Sequence, residues 1–313
     1  MPVYPLTEKL RRAGIASRQM RQLLYILKEA CLPHIKETLP EEVIQRAHLM
    51  SYAEAIDQIH FPESKEGLEA ARRRLKFDEL FFIQLRLLSM KRERKTLVPG
   101  LPFPRVGEGV KGLYASLPFD LTGAQKRVIR EIQSDLVGGK QMNRLIQGDV
   151  GSGKTLVALF SMLLALDNGY QACMMAPTEI LARQHYASLR EYLEPLGIEV
   201  GLLIGSTKKR ERRVLLEGLS EGSLRLIVGT HALLEPVVQF HHLGLAVIDE
   251  QHRFGVVQRS GLWQKGESYH PHILIMSATP IPRTLAMTLY GDLDISVIDE
   301  LPPGRKPIET YHQ

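Results

Sequence analysis

Cysteine is nearly missing from this sequence: only Cys31 and Cys173 occur among 313 residues. Two thiols so far apart cannot frame a small disulfide-stapled fold, and two cysteines alone do not make a four-ligand zinc site. That usage suits a reducing compartment, and a cytoplasmic location is expected. Long hydrophobic runs are also missing. The greasiest stretch, "LVALFSMLLAL" at 156–166, is about half of what a bilayer-spanning helix needs. The opening "MPVYPLTEKLRRAG" has no apolar segment of the secretory kind. Internal repeats and low-complexity tracts are missing as well. A soluble protein with no membrane partner is expected.

What the sequence has is ordinary globular material: 44% of residues are hydrophobic and 24% charged, with a formal net charge of +5. The charge is a mild lean towards polyanions. The basic runs "ARRRLK" (71–76), "KRERK" (91–95) and "KKRERR" (208–213) read first as solvated helix faces. A basic helical face around Arg72–Lys76 could also track duplex DNA.

The length admits two domains, and the patterning changes near residue 100. Before it, "SRQMRQLLYILKEA", "LPEEVIQRAHLM", "SYAEAIDQIH" and "SKEGLEAARRRLKFDELFFIQLRLLSMKRERK" repeat apolar residues every three or four positions. Ser17, Pro40 and Ser51 stand at the expected helix starts. In the last helix, Leu75, Leu80, Ile83 and Leu87 are expected on the buried face. Residues 1–100 thus read as helical, and 101–117, rich in Pro and Gly, as a linker. From about 118 to 300 short apolar runs alternate with helices: "RLIQ", "ACMMA", "VGLLIG", "LRLIVG", "GLAVID", "HILIMS" and "DISVID". Continuous apolar strands joined by helical crossovers imply an α/β fold, a parallel sheet with helices on both faces.

Within that region "GDVGSGKT" has P-loop spacing. Gly148, Asp149, Val150, Gly151, Ser152 and Gly153 form the loop, followed by Lys154 and Thr155. A strand precedes it and a helix follows, the context the motif requires. Glycines let backbone N–H groups curl around phosphate oxygens at a helix N-terminus. Lys154 would reach the β/γ-phosphates of ATP, and the Thr155 hydroxyl would ligate Mg²⁺. A parallel sheet binds ligands beyond the carboxyl ends of its strands, where "GLAVIDE" ends in Asp249 and Glu250. Asp249 is then placed to hold Mg²⁺, and Glu250 to polarise the attacking water.

Further segments follow in order: "FDLTGAQ" (119–125), "APTEILARQH" (176–185), "GTHALL" (229–234) and "SATPIPRTL" (277–285). Together with the P-loop they resemble the motor motifs of superfamily-two helicases, whose lobes are RecA-like. With "DEQHRFGVVQR" (249–259) and the stretch to "PPGRKPI", the chain resembles the RecG family of ATP-dependent DNA helicases. The resemblance covers essentially the whole sequence. It implies that Gln125 reads adenine, and that Pro177, Thr178, Arg183, Gln184, Gly229, Thr230 and His231 grip a DNA backbone. Ser277, Ala278, Thr279 and Arg283 would couple that grip to the nucleotide. Gln251 and His252 would sense the γ-phosphate. His252 could instead cap a backbone group, and Arg283 could be a surface charge.

The same resemblance makes residues 1–100 a connector, 118–300 the first motor lobe, and 301–313 the start of an inter-lobe hinge. It sets the expectation that a fork-wedge domain and a second motor lobe lie outside these residues, and that the chain is a monomer acting on branched or forked DNA. Two other readings stay open: an ATP- and DNA-binding module without significant turnover, and an RNA-directed ATPase of the same superfamily.

Overall fold

Seven of the apolar runs become the strands of one parallel sheet: β1 Asn143–Gly148, β2 Gln171–Met175, β3 Val200–Leu203, β4 Leu226–Gly229, β5 Leu243–Asp249, β6 His272–Ser277 and β7 Asp294–Ile298. Their order is β3-β4-β2-β5-β6-β1-β7. The structure, a computed structural model, describes Tyr4 and residues 7–97, 99–249, 265, 269–278 and 293–302. The chain divides into two compact units, Met1–Leu87 and Leu88–Gln313.

In the second unit, alternation along the strands sends successive side chains to opposite faces. Ile146, Met174, Val228, Val247 and Met276 enter one core with helices α7 Gly123–Val137, α8 Lys154–Asp167 and α9 Glu179–Leu193. Leu145, Cys173, Ile227, Ile248 and Ile275 enter a second core on the other face, which Leu219 of α10 Lys209–Glu221 helps to close. The doubly covered sheet read from the sequence is therefore present. Every residue of α8 from Leu156 to Leu166 is buried, as expected of a central helix that is apolar all round.

The stretch 101–117 is more than a linker. Phe103 is buried, stacking on Tyr170 at 5.0 Å and meeting the His272 ring edge-on at 4.9 Å. Helix α6 Glu108–Ser116 buries Leu113 in the first core. The signal that starts α6 lies 60 residues away: the Asp167 carboxylate accepts the N–H groups of Gly107 (2.9 Å), Gly109 (3.0 Å) and Val110 (3.2 Å). A cap supplied in trans leaves no local trace. A Cβ on Gly107 would lie 2.7 Å from Asp167 Cγ, so the glycine reflects that approach rather than flexibility.

In the first unit, α2 Ser17–Cys31, α3 Glu41–Ala47, α4 Tyr52–His60 and the long α5 Lys65–Leu97 follow the periodic segments, after a short α1 Glu8–Arg12. Ser51 caps α4, its Oγ accepting Glu54 N–H; Ser17 opens α2 one position inside Ala16, and Pro40 stands at the N-cap of α3. The buried face of α5 differs from expectation. Leu80 and Ile83 are exposed, while Ala71 and Arg74 are fully buried and Asp78 nearly so. A buried guanidinium needs partners. Arg74 donates to Asp78 Oδ1 (3.1 Å), the Met50 carbonyl (2.9 Å) and Glu37, and its plane lies over Tyr52 at 5.7 Å. Burial would raise the Glu37 carboxyl, but hydrogen bonds from Arg74 and the backbone amides of Leu39, Tyr52 and Thr38 outweigh it and hold the group at about 2. Arg74 in "ARRRLK" thus belongs to a core ion network, while Arg72, Arg73 and Lys76 are exposed. Removing one partner of such a network costs about 3–5 kcal/mol.

His272 begins β6 wholly buried. Its Nδ1 accepts Met142 N–H at 2.9 Å and its Nε2 donates to Leu101 O at 2.6 Å. Burial pushes the imidazole down to about 4, although the Leu101 carbonyl acts in the opposite direction. The folded state therefore resists a proton that the unfolded chain accepts near 6.5. This stability is fully present above pH 6.5 and is lost as the pH falls towards 4, by about 1.4 kcal/mol per pH unit. Denaturant unfolding of the chain between pH 7 and 4 should show that loss. His272→Gln should start less stable at pH 7 and decline less steeply; an equal slope would refute the assignment.

Candidate active site

The carboxyl ends of the strands collect the motif residues along one edge of the sheet. The P-loop leaves β1, Ser277 ends β6, Asp249 ends β5, Pro177 and Thr178 follow β2, and Gly229 ends β4. Because β6 lies between β5 and β1, Ser277 stands between Asp249 and the P-loop. Gln147 of β1 pairs with Ser277, and Asp249 pairs with Met276.

The loop is shaped for an anion. Gly151 and Gly153 adopt φ of 80° and 87°, a left-handed backbone that L side chains rarely take. Ser152 N–H donates to Asp149 O at 3.1 Å. The Lys154 ammonium folds back onto the carbonyl oxygens of Gly148 (2.6 Å) and Asp149 (2.9 Å). The Ser152 hydroxyl is buried with no hydrogen-bond partner among the described residues. An orphaned donor, a folded-back cation and the first turn of α8 converge here. The Ser152 hydroxyl, the Lys154 ammonium and the α8 amides are donors that fit a phosphate group. Asp149, Val150 and Gly151 are exposed at the tip, and Thr155 is half-buried.

Gln125, at the start of α7, lies beside the loop. It is 2% exposed. Its Nε2 donates to Ser152 O at 2.9 Å, and its Oε1 accepts Thr122 N–H at 2.9 Å. The Thr122 hydroxyl in turn accepts Gln125 N–H, a capping box that starts α7. The glutamine thus braces the α7 cap against the phosphate loop.

The expected DNA-gripping residues separate into two groups. Arg183, Gln184 and His231 are exposed, with Arg183 donating to Ser206 Oγ at 3.3 Å. Pro177 and Thr178 are half-buried, and Thr178 Oγ1 caps α9 by accepting Leu181 N–H. Thr230 is 2% exposed, with its hydroxyl buried and unpartnered among the described residues, and Gly229 packs against Leu203 O and Leu233. Gly229 and Thr230 are therefore interior positions, and a Cβ on Gly229 would collide with Leu203 O. Ser277 is buried and Ala278 half-buried. The expectations for Glu250, Gln251, His252, Thr279 and Arg283 fall outside the described residues.

Asp249 is nearly buried, and its Oδ2 lies 2.7 Å from His185 Nε2. Sequence reasoning passed over His185. The available signal was its position three residues after Ala182 and four before Leu189, both buried on the inward side of α9.

The DEAD/DEAH box helicase model matches residues 122–288. The chain belongs to that family of helicases, and its parallel sheet with helices on both faces is the RecA-like fold. Within the family its similarity is to RecG. It is 52% identical over 310 residues to the ATP-dependent DNA helicase RecG of Synechocystis sp. and 46% identical over 318 residues to that of Escherichia coli K12. Each alignment takes in 99% of this chain but only 36% and 45% of the relative. A solved structure of RecG bound to a three-way DNA junction superposes over 98% of this chain and 40% of that one, with TM-score 0.78 and 42% identity. The chain thus spans less than half the length of these relatives.

Gly153→Ala places a methyl into the Gln125 amide at a backbone angle that disfavours it. Nucleotide affinity measured by fluorescent-ATP titration should fall by tenfold or more, on the order of 1.4 kcal/mol. The far-ultraviolet spectrum should stay native. Unchanged affinity would show that the loop does not need its left-handed turn.

Proposed function

We propose that this chain is the ATP-binding first motor lobe, with its helical connector, of an ATP-dependent branched-DNA helicase. It would act in the cytoplasm in DNA repair, recombination and the processing of stalled replication forks. One observation carries the reading: the glycine loop after β1 and the Asp249 carboxylate after β5 flank the end of β6 on one sheet edge. The similarity to ATP-dependent DNA helicases of the RecG kind and to a RecG structure bound to a three-way DNA junction supports the DNA arm.

In this reading Lys154 leaves its carbonyls for the β/γ-phosphates, and Ser152 and the α8 amides hold phosphate oxygens. Thr155 and Asp249 would hold Mg²⁺, which when bound neutralises charge developing on the transferred phosphoryl group. Glu250 orients the attacking water, and Gln251 and His252 answer to the γ-phosphate. Gln125 keeps the loop braced beside the base. Arg183, Gln184 and His231, exposed on the β4–β2 side of the edge, meet the DNA backbone; such contacts position a strand without reading its sequence. Ser277, Ala278, Thr279 and Arg283 link the two halves of the edge. Full turnover requires the second motor lobe that the resemblance leads one to expect, and fork recognition requires the wedge domain.

ATP hydrolysis by the chain, alone and with branched DNA or structured RNA, tests this against Lys154→Ala as blank. ATP·Mg²⁺ binding should be lost at least tenfold in Lys154→Ala, a change of about 1.4 kcal/mol. Turnover above the blank should be slow and should respond to branched DNA. Stimulation by RNA alone would overturn the DNA assignment, and binding that survives Lys154→Ala would overturn the phosphate site.

A further inference from the structure

The inward side of α9 reaches the strand-end carboxylate. Ala182 and Leu189 on that side are buried in the first core, and His185 between them puts Nε2 2.7 Å from Asp249 Oδ2. Both side chains are nearly buried, 13% and 12% exposed. The neighbouring Arg183 and Gln184 are exposed. The helix is anchored at its start as well. Thr178 caps it, and the Glu179 carboxylate accepts the backbone N–H of Ser206 at 3.1 Å and its hydroxyl at 2.6 Å. That clip, led by the Ser206 hydroxyl, holds Glu179 below the usual carboxylate range.

An aspartate at the end of a strand can turn about its two side-chain bonds. A carboxylate meant for a cation needs an outer partner to fix that rotation, and such partners carry much of a site's affinity. His185 supplies a ring nitrogen against one oxygen of Asp249 from an element that also carries the exposed Arg183 and Gln184. We propose that His185 is a positioning residue for Asp249, and that through it α9 is mechanically part of the nucleotide site. A shift of α9 would then re-aim the carboxylate. This inference rests on the assignment of Asp249 to Mg²⁺ under the proposed function.

The test compares the affinity of the chain for adenylyl-imidodiphosphate with Mg²⁺ and with EDTA, in wild type, His185→Ala, His185→Leu and His185→Gln. Leucine fills the space without a polar atom, and glutamine restores an N–H donor. The Mg²⁺-dependent gain in affinity should drop about tenfold in the Ala and Leu variants, the usual cost of losing an outer partner. Glutamine should recover most of it. Affinity in EDTA reports the phosphate loop and should stay within about twofold throughout. A purely structural role would instead lower the EDTA affinity and the thermal midpoint together, in all three variants, and would overturn the proposal. So would an unchanged Mg²⁺ gain in the Ala and Leu variants. If wild type shows no Mg²⁺ gain at all, the assignment of Asp249 itself fails and this inference with it.

Discussion

The left-handed backbone at Gly153, with the Gln125 amide seated against it, is the constraint on which this edge of the sheet depends. A side chain there would occupy the place of the Gln125 nitrogen. The glutamine is in turn fixed by the Thr122 cap that starts α7. The phosphate loop, the start of α8 and the start of α7 are therefore one connected piece. Glu300 joins it from the end of β7, its carboxylate accepting Ala124 N–H at 3.0 Å. The rigidity comes from buried hydrogen bonds rather than apolar area. Those bonds tie a loop with three exposed tip residues to two helix starts.

Topology does the rest. All seven strands run parallel, so every crossover returns to the same edge, and residues far apart in sequence meet without any local signal. The P-loop lies on the β1 side of that edge, and the α9 start and the β4 end lie on the other. Asp249 and Ser277 stand in the middle on β5 and β6. Under the proposed function, this puts the nucleotide site and the DNA-gripping surface on either side of a short boundary. The Asp249–His185 contact joins β5 to α9 across it.

The sequence was most legible where burial was two-sided. Strands such as "GLAVID" and "HILIMS", and the helix after the P-loop, are apolar throughout because neither face meets water, and their positions could be read within a residue or two. It was least legible where a partner arrives from far away. Helix α6 is started by Asp167, which no local pattern announces, so a stretch rich in Pro and Gly looked like a tether. Arg74 sits at a helical position that looks solvated until Glu37, Asp78 and Met50 are brought around it. Gln125 and Thr230 were recognised by type, but their burial depends on neighbours distant in sequence. His185 was overlooked because a single histidine in a helix has no signature until the strand it faces is known.

Amide hydrogen exchange in the presence and absence of ATP·Mg²⁺ tests the central claim most directly. The account predicts slowed exchange across residues 149–157 and at the end of β5 on addition of ATP·Mg²⁺, with the α7 start protected in step because Gln125 ties it to the loop. Exchange unchanged in 149–157, or protection confined to the helical unit before residue 88, would contradict it.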